Sequence, residues 1–71
     1  MYYKLRRMRK EKNYTIQIMA SNLGISKPFY SQIETGQRRL SYRMAVMIAN
    51  IFECKPDDIF YDDQKNFQNH N

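Results

Sequence analysis

The sequence predicts a small all-α domain of five short helices. Three observations carry this. Apolar residues recur at spacings of three and four, as in Met19/Ala20/Leu23 and Met44/Ala45/Ile48/Ala49/Phe52, the period of a helix with one buried face. Residues that start and stop helices alternate along the chain and cut this pattern into short pieces. No stretch shows the apolar-polar alternation of a half-buried strand.

Each element follows from local chemistry. Residues 2–12 read as a first helix, with Leu5 and Met8 three apart among charges. Asn13 follows, a residue type that tolerates the left-handed conformation at a helix end. Thr15 can cap a second helix over 16–22, with Met19, Ala20 and Leu23 on its inner face, and Gly24 ends it. Ser26 can cap a third over 27–35, with Tyr30 and Ile33 inward, and Gly36 ends that one. The polar connection QRRL leads to Ser41, which can cap a fourth helix over 42–52. Pro56 opens a short fifth turn in KPDDIF, since proline suits a first helical position. The domain is expected over residues 1–60. Residues 61–71, YDDQKNFQNHN, are expected to form a flexible polar tail.

Composition narrows the chemistry. A chain of 71 residues makes one domain, with a core that is marginal without help from a partner or very compact packing. Cys54 is the sole cysteine and His70 the sole histidine, so no intrachain disulfide, no metal site and no cofactor are expected. Cys54 falls within the apolar pattern and reads as a core thiol. No acid-base pair, nucleophile-base set or Gly-rich phosphate loop is present, so no enzyme is expected. The longest apolar run is far below the roughly 18 residues of a membrane span. MYYKLRRMRK carries no apolar signal core, and a cytoplasmic location away from membranes is expected.

The net charge of +5 is unevenly spread. Residues 1–43 hold ten Lys/Arg and two acids, Glu11 and Glu34, for a net +8. Residues 44–71 hold two Lys and five acids, for a net −3. A basic front and an acidic back suit a polyanionic partner on one side, though a solvated basic face reads the same way. The helix starts sharpen the point. First turns prefer Asp or Glu, which complement the exposed N–H groups. The fifth segment obeys, with Asp57 and Asp58. The second, third and fourth begin Ile16-Gln17-Ile18, Lys27-Pro28-Phe29 and Tyr42-Arg43-Met44, with no acid among them. Helix ends of that kind fit an external anion bound by free N–H groups, and duplex DNA supplies phosphates in quantity.

Residues 16–35 are more specific. Two short helices flank a tight turn, with apolar Met19, Leu23, Ile25, Tyr30 and Ile33 and small Ala20 and Gly24. Ala20 lets the helices close at a steep angle, and Gly24 allows the left-handed turn. This is the pattern of a helix-turn-helix, whose second helix enters a major groove.

The segments LRRMR (5–9), YTIQIMASNLGIS (14–26), FYSQIETGQR (29–38) and IANIFECKPDDIF (48–60) together resemble the Cro/CI-type, lambda-repressor-like helix-turn-helix domain. The match runs without a gap from Leu5 to Phe60, and its strength lies in the ordered spacing of these pieces. The resemblance implies a five-helix bundle and a sequence-specific DNA-binding transcriptional regulator. It further implies a repressor that binds a two-fold operator on double-stranded DNA as a homodimer, in a bacterial or phage-encoded protein.

Carried onto this chain, the family's base-reading positions fall on Ser26, Lys27, Pro28, Ser31 and Gln32. Lys27 can donate to guanine O6/N7 or bind only a phosphate. Pro28 has no donor and reads by shape or a thymine methyl. Gln32 can pair with adenine or stay a solvated amide. Phosphate positions fall on the second-helix start, Thr15 and Gln17, and on Gln37, Arg38, Arg39, Tyr42 and Arg43. The chain departs from the family at Ile16, where a Gln often stands, so that side-chain contact to phosphate cannot form there. Arg9 and Glu34 match a family salt bridge between the first and third helices. Glu34 is also one of only two acids in the basic half.

Ile18 and Met47 stand where the family is usually charged. They are scattered surface hydrophobes or a protein contact. The resemblance places a dimer surface near Phe52, Cys54, Ile59, Phe60 and Tyr61. The competing reading is a protein-interaction or antitoxin-like module that keeps the fold without operator binding. With no room for a ligand domain, switching is expected from concentration, a protein antagonist or competition for DNA.

Overall fold

Three hydroxyl caps set the frame. In the computed structural model, which describes residues 1–61, Thr15 Oγ1 accepts the Ile18 N–H at 3.0 Å, Ser26 Oγ that of Phe29 at 3.2 Å and Ser41 Oγ that of Met44 at 3.1 Å. Each bond satisfies one of the donors that a helix start leaves free. The helices they open are α2 (Ile16–Leu23), α3 (Lys27–Thr35) and α4 (Tyr42–Ile51), preceded by α1 (Tyr3–Glu11) and followed by α5 (Pro56–Phe60). Among the described residues there is no strand. Of the tail expected over 61–71, Tyr61 is described and residues 62–71 lie outside the described residues.

The stops are equally local. Asn13, Gly24 and Gly36 take left-handed backbone at φ 60°, 71° and 85°. At Gly36 a side chain would also crowd, since an added Cβ would stand 3.3 Å from the Met1 nitrogen. Glu53 takes the same conformation at φ 56°, in the turn where the Cys54 N–H returns to the Ala49 carbonyl at 3.0 Å. α5 is fastened at its start, where Asp58 Oδ2 accepts the Lys55 N–H at 2.9 Å.

The apolar spacing becomes the core. Leu5 of α1, Met19, Ala20 and Leu23 of α2, Tyr30 and Ile33 of α3, Ala45, Ile48 and Ala49 of α4, and Ile59 and Phe60 of α5 are all buried. Burying each of the larger aliphatic side chains contributes about 1.5–3 kcal/mol. Tyr2 and Leu40, which the periodicity does not reveal, join them. The Tyr2 ring meets Phe60 edge-on at 5.3 Å, and the Tyr2 N–H donates to the Glu34 carbonyl at 3.0 Å. α1 therefore packs on both α3 and α5, while α2 packs on α3 and α4. The result is a firm platform on which the α2–α3 pair is presented.

One polar cluster is built into this platform. Arg9 donates from Nε to Glu34 Oε2 at 2.8 Å, from Nη2 to Glu34 Oε1 at 3.0 Å, and from Nη1 to the Tyr14 carbonyl at 2.9 Å. The Tyr30 hydroxyl donates to Glu34 Oε2 at 2.8 Å. Arg9 is 8% exposed and Glu34 4%. Among the described residues no buried side-chain N or O atom lacks a partner. The cluster pins α1, α3 and the α1–α2 loop together. Its bonding to Glu34 pushes the Arg9 guanidinium further up, and burial, followed by Glu34, raises the Tyr30 phenol well above the usual tyrosine range.

Candidate nucleic-acid interface

The starts of α2 and α3 converge on one open cleft. It is lined by Arg9, Lys10, Asn13, Tyr14, Thr15, Ile16, Gln17 and Lys27. Lys27 thus stands beside Thr15 and Gln17, the phosphate positions expected at the start of α2. Because Thr15 caps the Ile18 amide and the Met19 amide bonds to the Thr15 carbonyl, the amides of Ile16 and Gln17 remain as the first turn's outward donors. No acid lies in the first turn of either helix. Two lysines and two free amides make the cleft attractive to an oxyanion. The charge of Arg9 is already spent on Glu34. Gln17 Nε2 donates to Ser21 Oγ at 3.2 Å along the exposed side of α2.

Along α3 the expected base-reading residues differ in what they have free. Ser26, Lys27 and Pro28 are exposed. The cap takes one lone pair of the Ser26 oxygen, which leaves its hydroxyl hydrogen and the second lone pair to face outward. Ser31 and Gln32, one turn on, are half-buried. Gln32 is not a loose amide: its Oε1 accepts from Arg38 Nε at 3.2 Å and Arg38 Nη2 at 3.1 Å. Arg38 in turn lies over the Phe29 ring, 4.2 Å from its centroid, within the range of a cation–π contact. The turn after α3 makes this possible, since the Gln37 and Arg38 amides both donate to the Gln32 carbonyl, at 2.8 and 3.1 Å.

The remaining phosphate candidates are open. Gln37, Arg39 and Arg43 are exposed, and Tyr42 is 73% exposed. They follow α3 and begin α4, where Ser41 leaves the Tyr42 and Arg43 amides outward. Lys27, Arg38, Arg39 and Arg43 give the α2–α3–α4 starts a basic rim, while Asp57 and Asp58 sit on α5.

The set expected at a dimer surface divides. Ile59 is 1% exposed and belongs to the core of the single chain, so it is withdrawn from that surface: its side chain is already covered by its own fold. Phe60 is likewise core. Phe52 is half-buried against Tyr14, their centroids 5.9 Å apart. Cys54 is half-buried, and burial pushes its thiol up, away from reactive thiolate character. Tyr61 is 62% exposed. Ile18 is exposed on α2, while Met47 packs against the core.

Sequence reasoning missed three participants: Phe29 as the bed for Arg38, Lys10 as a second cleft lysine, and Tyr30 as the third member of the Arg9–Glu34 cluster. Tyr30 was within reach, since it precedes Glu34 by four residues on a helix and such pairs face one another. Lys10 lies in the basic run of α1 with no local mark of its own.

Among the described residues, no helix is long and apolar enough to cross a membrane, and no group of His, Cys, Asp or Glu is placed to hold a metal. Comparison with known proteins bears on the whole arrangement. The helix-turn-helix family model matches residues 5–59. The HTH-type transcriptional regulator AnsR of Bacillus subtilis (strain 168) is 38% identical over 56 residues, covering 79% of this chain and 48% of that protein. The uncharacterized HTH-type transcriptional regulator YqaE of the same strain is 40% identical over 53 residues, covering 75% of this chain and 46% of that protein. The chain therefore spans about half the length of these curated relatives. No solved structure matches significantly. The residues of the match include all three hydroxyl caps, the Gly24 turn and the Arg9–Glu34 cluster, and the chain belongs to the helix-turn-helix family of the Cro/CI type.

Proposed function

We propose that this protein binds duplex DNA sequence-specifically and regulates transcription, acting as a repressor dimer on a two-fold operator. The observation that carries this is the convergence of the α2 and α3 starts on one acid-free cleft with Lys10, Lys27 and the Ile16 and Gln17 amides. A phosphate seated there orients α3 so that Lys27, Pro28, Ser31 and Gln32 face base edges. Arg39, Tyr42 and Arg43 take a second stretch of backbone. Lys27 does both jobs in part: its place in the cleft favours a phosphate, and its long side chain also reaches a base edge. Both curated relatives carry the name of transcriptional regulators, which supports the reading. The dimer is assigned to the α4–α5 end around Phe52, Cys54 and Tyr61, where Tyr61 offers a large exposed ring. A protein that antagonises binding is a natural means of switching. The alternative interaction module has no use for a basic cleft at two helix starts.

The test is selection from randomised duplexes at moderate salt. An inverted repeat with half-sites about one helical turn apart is expected. Lys27→Glu, a change at an exposed position, should then abolish binding to that duplex while leaving helical circular dichroism intact. Retained binding would remove Lys27 from the interface. No enriched duplex, from protein shown to be folded, would turn the reading toward a protein partner.

A further inference from the structure

A glutamine on a recognition helix is usually free to turn its amide over, and so can present a donor-acceptor pair to adenine or two donors to guanine. Gln32 has lost that freedom. A guanidinium carries donors only, so the amide atom facing Arg38 must be the oxygen. Both Arg38 donors converge on that one atom, at 3.2 and 3.1 Å, and two donors use the two lone pairs of an amide oxygen. What Gln32 has left to offer is its NH2 group. Arg38 is itself held in place, with its guanidinium 4.2 Å from the Phe29 ring centroid and its backbone fastened to the Gln32 carbonyl at 3.1 Å.

We propose that Arg38 is a positioning residue for base readout, which locks Gln32 as a donor-only group and sets its preference to guanine over adenine. This rests on the DNA-binding reading given above. Guanine places two acceptors, O6 and N7, side by side in the major groove. The Gln32 NH2 has two hydrogens to meet them. Adenine places its N6 amino group where O6 stands in guanine. A Gln32 whose oxygen is occupied would meet that amino group with no acceptor. The adenine pairing that a free Gln32 allows is thereby disfavoured. The Phe29–Arg38–Gln32 unit thus gives Arg38 a role other than direct phosphate contact.

The experiment compares three proteins in the same duplex selection: the full chain, Gln32→Ala and Arg38→Lys. Gln32→Ala identifies the base column that Gln32 reads, as the one whose preference vanishes. In the unaltered protein that column should favour guanine over adenine by on the order of tenfold. Arg38→Lys keeps the positive charge for any phosphate but loses the planar fork and the stacking. It should bring adenine to within about twofold of guanine in that column, with the other columns unchanged. An adenine preference in the unaltered protein overturns the proposal. So does an unchanged column in Arg38→Lys, or the absence of any column lost in Gln32→Ala. These outcomes all occur within an enriched operator, whereas no enrichment at all from folded protein removes the DNA-binding reading itself.

Discussion

Replacing Glu34 by glutamine keeps the shape of the buried cluster and removes its charge. The wild-type carboxylate accepts two charge-assisted bonds from Arg9 and one from Tyr30. The amide can accept at only one atom and turns an NH2 toward groups that are themselves donors. Arg9, 8% exposed, is left as a nearly buried cation with no counter-charge, held by the Tyr14 carbonyl and the single amide oxygen. Breaking a buried pair from one side costs about 3–5 kcal/mol. The surviving Tyr14 bond places this case near the lower end, about 3 kcal/mol. A chain of 71 residues has roughly 4–11 kcal/mol of stability in total, so the loss is large. With a urea slope of about 1 kcal/mol per molar, the midpoint should fall by about 3 M. Arg9→Met should cost a similar amount, because it strands the Glu34 carboxylate. The double change Arg9→Met/Glu34→Leu replaces the pair with apolar groups and should lie only about 1–2 kcal/mol below wild type, the cost of the unpaired Tyr30 hydroxyl and Tyr14 carbonyl. Urea denaturation of the four proteins gives the coupling energy. Additive single losses, with the double change about 6 kcal/mol down, would refute a mutually dependent pair.

Three further outcomes follow from the same geometry. Because burial, with Glu34 next, raises the Tyr30 phenol, the folded state keeps a proton that the unfolded chain releases above about pH 10. That stability is fully present below the unfolded value and falls as pH rises, by up to about 1.4 kcal/mol per pH unit; Tyr30→Phe should flatten this part of the profile, and parallel profiles would contradict it. Glu53 stands in left-handed backbone, which costs a side chain about 1–2 kcal/mol, partly offset in glycine by the greater freedom of the unfolded chain. Glu53→Gly should therefore raise stability by about 0.5–1 kcal/mol, and a lowered melting temperature would argue against strain there. Tyr61→Asp should shift sedimentation from dimer to monomer with the fold intact, and an unchanged distribution would move the dimer surface elsewhere.

What the sequence made legible was local. Thr15, Ser26 and Ser41 announce their helices because a cap needs a hydroxyl at one position and nothing from elsewhere. Gly24 and Gly36 mark stops for the same reason, through backbone conformation alone. The Arg9–Glu34 pair, 25 residues apart, was legible because acids are scarce in the basic half and the family resemblance supplied the distance. What stayed hidden depends on chain return. Tyr2 and Leu40 enter the core from outside any periodic run, brought in by contacts at α5 and at the turn after α3. Arg38 looked like one more loop cation, and nothing in QRRL says that its side chain folds back over Phe29. Ile59 shows the reverse case: the family resemblance puts it near a dimer surface in a set that must also supply core, and only the packing of α5 on α1 and α4 decides for the core. Glu53 gave no warning of its left-handed turn, since glutamate is not a residue type chosen for it.

In the proposed complex the α2–α3 face, with the turn after α3 and the start of α4, lies against a specific duplex. Amide chemical-shift mapping of isotope-labelled protein tests it most directly, by titration with the enriched duplex and with a scrambled one. Shifts should concentrate at residues 15–18, 26–32 and 36–43 and be larger for the enriched duplex. Shifts concentrated on α5 and Tyr61, or equal for both duplexes, would contradict it.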